Sequence, residues 1–119
     1  MFFARVRWVG RILDGAGIDT SSKTGRELSS TLITFSKYCQ EKNRRGEGAS
    51  GVRLDFGPPE WVLLAAILAS VETKVTEHLS EALTLSDAEV STILARVRKA
   101  ALDLAKHKMP DIVASMSNE

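Results

Sequence analysis

The stretch WVLLAAILA, Trp61 to Ala69, decides how this chain folds. Nine consecutive apolar residues leave no polar side at any helical angle, and a helix without a wet face is a buried helix. The run is also too short to cross a bilayer, which takes about 20 residues. Something must therefore enclose it: the rest of the chain, or another molecule.

Upstream stands GPPEW, Gly57 to Trp61. Pro59 suits the first helical position, where a missing N–H would be unpaired anyway. Downstream, Trp61, Leu64, Leu68, Val71, Val75 and Leu79 keep the three-and-four spacing of one helix face. That phase predicts a single helix running to Leu83.

Beyond it, LSDAEVSTILARVRKAALDLAKHK, Leu85 to Lys108, opens like the first helix of a DNA-reading pair. Ser86 caps and Glu89 completes a capping box. A helix-turn-helix then needs a sharp turn, usually relieved by Gly or another turn former. Its place holds ARVRKAAL, made largely of strong helix formers. The apolar stripe Val90, Leu94, Val97, Ala101, Leu104 crosses that place without changing phase. The stretch reads as one straight helix, closed by Pro110. Only TLS, Thr84 to Ser86, separates it from the preceding helix, so the two should form an antiparallel hairpin.

Two further segments precede the apolar run. Phe2, Val6, Val9 and Leu13 give the N-terminal one a helical face, although Ala4, Val6 and Trp8 alternating with Arg5 and Arg7 suit a strand. The next begins at Thr24, with Glu27 as capping-box partner, and carries Leu28, Leu32, Phe35 and Cys39. NRRGEGASG ends it. GVRLDF, 51–56, alternates and is the one other strand candidate. The expectation is a single all-α domain over 1–119, small and four-helix bundle-like, with a C-terminal helical hairpin. A flexible Gly-rich loop spans 44–58, and a short β element near 51–56 is the reservation.

Catalytic patterns fall short. GEGASGVR, Gly46 to Arg53, has two glycines at phosphate-loop spacing, but Val52 and Arg53 stand where that loop needs Lys and then Ser or Thr. GAG, Gly15 to Gly17, lacks the third glycine of a dinucleotide fingerprint. His78 with Glu81 and His107 with Asp103 are pairs at opposite ends of the hairpin, too few for a metal. Cys39 lies on an apolar face, where a packed thiol is the default. The expectation is no enzyme, no metal and no cofactor.

The net charge of +1 is too small for bulk attraction to nucleic acid, but it is unevenly spread. Residues 1–53 hold ten Lys/Arg against five Asp/Glu, and residues 54–119 hold six against ten. Such a chain can pair with itself or with a charged partner. A lone cysteine excludes an internal disulfide, which suits a reducing cytoplasm. Arg5, Arg7 and Arg11 interrupt what would otherwise be a secretory leader, leaving a basic amphipathic segment of the kind that lies on membrane surfaces.

The leading functional expectation is a non-enzymatic module that binds another protein or itself, as adaptor, assembly subunit or inhibitor. Accessory proteins of phages and plasmids are often of this kind. Trp61, Leu64, Ala65, Leu68 and Ala69 are its expected contact residues, the alanines admitting a second backbone closely in a two-fold homodimer. The alternative is a nucleic-acid-associated regulator touching phosphates through Arg44, Arg45, Arg96, Lys99 and Lys106.

Overall fold

The apolar stretch forms the central helix of an all-α, bundle-like fold. The computed structural model describes residues 2–46 and 53–117. In chain order these are α1 (Phe2–Gly15), α2 (Lys23–Arg44), α3 (Pro58–Leu68), a 3₁₀ turn (Ala69–Val71), α4 (Thr73–Leu83), α5 (Asp87–Lys108) and α6 (Pro110–Ser117). α1, α2 and α5 all pack on α3. Val62, Leu63, Ala65 and Ala66 are wholly buried among Ile12, Leu13, Leu28, Leu32 and Leu94. Each large aliphatic enclosed this way stabilises the fold by about 2 kcal/mol.

The enclosing molecule is thus the chain itself. Trp61, Ala65 and Ala69 are 3%, 0% and 0% exposed, so they offer no contact face. This corrects the expectation that their side of the helix meets a partner. α1, α2 and α5 close around α3 together and cover that side of it.

The helix also stops early. A continuous helix would give the Ile67 carbonyl to the N–H of Val71. Here Arg98 of α5 donates to that carbonyl at 2.8 Å, and the backbone tightens into the 3₁₀ turn. Glu72 then leaves helical space at φ −98°, ψ 108°. The stripe Val71, Val75, Leu79 keeps its phase in sequence, but a second helix, α4, carries its last two members.

The caps follow local chemistry. Ser86 accepts from the Glu89 N–H at 3.1 Å, and Glu89 accepts from the Ser86 N–H at 3.2 Å, the reciprocal box read from sequence. α5 runs unbroken, which excludes a helix-turn-helix there. α2 starts one residue before Thr24: its cap is Ser22, which accepts from Gly25 at 3.0 Å, while Thr24 lies inside the first turn. α3 starts with Pro58 at its first position and Pro59 at its second. The Gly57 N–H there donates to the Glu60 carboxylate at 2.8 Å. α1 ends where Ile18 and Gly17 return N–H groups to Leu13 and Asp14, with Gly17 at φ +71°.

The N-terminal segment is a helix, and residues 53–57 form no strand. Leu54 instead exchanges both backbone hydrogen bonds with the side-chain amide of Asn43, at 2.8 and 2.9 Å. One α2 side chain thereby does what a neighbouring strand would do. Residues 51 and 52, like most of GEGASGVR, lie outside the described residues.

Candidate interaction surfaces

Along the outer edge of α3, burial falls away toward the C-terminal end. Leu64 is half-buried, Leu68 is 37% exposed, and Val71 in the 3₁₀ turn is 72% exposed. These three fall at helical spacing, so they share one side. Phe56 covers the other end, its ring meeting that of Trp61 edge-on at 5.3 Å between centroids. Of the five expected contact residues, Leu68 alone is exposed and Leu64 partly so.

The five expected phosphate contacts fare differently. Arg44 and Arg45 share one carboxylate, that of Glu41, at 2.6 and 3.2 Å. The Arg44 hydrogen bond holds the Glu41 carboxyl below its ordinary range. Arg96 donates to the carbonyl of Ala16 at 2.6 Å and reaches that of Gly17 at 3.3 Å. It caps the end of α1, as a cation at a helix C-terminus should. Lys106 stands 3.7 Å from Asp103. Lys99 is exposed, with no ion pair among the described residues. α3 packs against both α2 and α5, so the two groups of cations are carried by helices on either side of it. The five do not converge.

Two other places bring chemistry together. On α1, Trp8 lies under two cations, Arg11 at 4.8 Å and Lys108 of α5 at 5.4 Å from its ring. Between α2 and α4 runs an open groove of about 550 Å³. Its α2 wall carries Ser30, Thr31, Thr34, Phe35 and Tyr38, and its other wall Glu72, just before α4, with Lys74, Val75 and His78 of α4. The Phe35 and Tyr38 rings stack at 6.3 Å and 18°. By spacing alone Phe35 belongs to the apolar face with Leu28 and Leu32. Hydroxyls and aromatics recurring at helical spacing from Ser30 to Tyr38 were the available signal.

Cys39 is partly buried, and that burial pushes its thiol pKa up, away from the reactive thiolate. His78 and His107 are exposed. Among the described residues no three His, Cys, Asp or Glu side chains cluster as a metal site would require, and no helix is long and apolar enough to cross a membrane. Arg5 bridges α1 to α2 through Ser36 and Gln40, and its partial burial lowers its pKa. No protein-family model matches the chain, and no curated protein or solved structure shows significant similarity to it.

Proposed function

We propose that this chain is a non-enzymatic helical interaction module that binds another protein or a second copy of itself. The reading rests on one observation: the exposed edge Leu64, Leu68, Val71 at the corner between α3 and α4. A β-branched aliphatic at 72% exposure gains nothing from its own fold. Covering it together with Leu68 removes apolar surface from water, and contiguous surface of that sort marks interaction sites. The corner is also rigid on its inner side, because Arg98 donates to the Ile67 carbonyl and approaches the Ser70 hydroxyl at 3.4 Å. A pre-organised edge loses little entropy on binding.

The contact face is therefore smaller than the sequence implied and shifted toward Val71. The nucleic-acid alternative draws less support, since four of its five cations already face a carboxylate or cap a helix.

Leu68→Glu and Val71→Glu test the proposal, because both place charge on the surface and spare the core. Sedimentation velocity at micromolar concentration should show wild-type self-association, or complex formation with a captured partner, that both variants lose while keeping wild-type circular dichroism. A wild-type chain that stays monomeric, retains no partner and leaves an apolar-surface dye dark would overturn it.

A further inference from the structure

The groove between α2 and α4 holds an unusual coincidence. Thr31 is 9% exposed, and its hydroxyl is the one buried side-chain polar atom among the described residues with no hydrogen-bond partner. A buried hydroxyl left unpaired is a net cost to the fold. Thr31 also lines the groove. The hydroxyl oxygen itself is closed off from solvent, so a ligand in the groove meets it only after a change of rotamer. In a helix threonine has two accessible χ1 rotamers, and moving between them turns the hydroxyl without disturbing the backbone.

The rest of the lining defines the ligand. Phe35 and Tyr38, stacked nearly parallel, make an aromatic wall, and Val75 supplies an aliphatic floor. Lys74 and His78, one turn apart on α4, put two nitrogen donors on the opposite rim. Lys74 has no ion pair among the described residues, so its charge is available to an anion. The volume, about 550 Å³, falls in the range of small-molecule sites, which are mostly apolar with a few placed polar groups.

We propose that this groove binds a small aromatic carboxylate, its ring against Phe35, Tyr38 and Val75, its carboxylate at Lys74 and His78, and one polar atom within reach of the Thr31 hydroxyl. The site is independent of the Leu68–Val71 edge, and either proposal can fail alone.

Saturation-transfer NMR on the full chain, titrated with indole-3-acetate and with its neutral amide, tests the site. Indole-3-acetate is expected to bind, and the amide more weakly. Lys74→Ala should weaken the acid about threefold, as befits an exposed ion pair, and leave the amide unchanged. Thr31→Val should weaken binding about fivefold, the worth of one hydrogen bond, without lowering the melting temperature of the free protein. Thr34→Trp, at an exposed position on the rim, should fill the groove and abolish transfer. No transfer at millimolar acid, or transfer that persists in Thr34→Trp, would overturn the site. Equal binding of acid and amide, with Lys74→Ala indifferent, would overturn the carboxylate assignment.

Discussion

Gly25 shows how much one missing methyl can decide. In TGRE, Thr24 to Glu27, nothing marks it as special, and glycine inside a helix usually weakens it. Yet a Cβ there would run into the carbonyl oxygen of Asp19 and stand 2.8 Å from Thr20 Cα. Those are backbone atoms, which cannot swing aside. The 19–22 turn is itself fixed, because Asp19 accepts from both the N–H and the hydroxyl of Ser21, hydrogen bonds that lower its pKa. Gly25→Ala should therefore destabilise by about 2–3 kcal/mol, as overpacking does, and urea denaturation will read it. Ser86 and Glu89, by contrast, were legible residue by residue, since a capping box is written within four positions. Arg96, expected to touch phosphates, and Arg98 both donate to backbone carbonyls of other segments. Their partners lie 80 and 31 residues away, beyond any local pattern.

Elements obey local rules until tertiary contacts offer something better. The long helix expected from Trp61 to Leu83 breaks because the α5 guanidinium takes up the Ile67 carbonyl, which the next turn would have used. The hairpin that follows does form, and its corner is strained. Thr84 sits at φ 55°, ψ 46°, left-handed space that a β-branched residue enters at a cost. The turn holds it there, with Leu85 donating to the Ser80 carbonyl at 3.1 Å and the Ser80 hydroxyl donating to Asp87 at 2.6 Å. Thr84→Gly removes the side-chain clash while giving the unfolded chain more freedom. The strain is the larger effect, so the variant should gain about 0.5–1 kcal/mol, visible as a higher melting temperature. Helix identity was legible from α2 to α5, because amphipathic spacing and caps are local, whereas Ala4, Val6 and Trp8 alternating with Arg5 and Arg7 left a strand open where α1 forms. The strand suggested by GVRLDF was not realised at 53–57, where Asn43 satisfies the backbone of Leu54 from a helix.

For the whole molecule, the question is what Trp61 answers to. At 3% exposure, packed on Phe56, it belongs to the core and not to an interface. Trp61→Glu would bury a charge that no neighbour compensates, at a loss of about 4 kcal/mol or more. The expected outcome is loss of helical circular dichroism at every protein concentration. A folded monomer would instead indicate a dimer face. This separates the core from the Leu68–Val71 edge, where the same substitution should leave the fold intact. Taken by itself, the sequence determined that the chain is helical, where α5 starts and stops, and that Trp61 to Ala69 must be largely enclosed, because propensity, capping and hydrophobic periodicity act over a few residues. Only the tertiary structure decided what encloses that helix, where it breaks, and which cations and hydroxyls remain free to meet something else. Those outcomes depend on pairings between distant segments, and only folding brings the partners together.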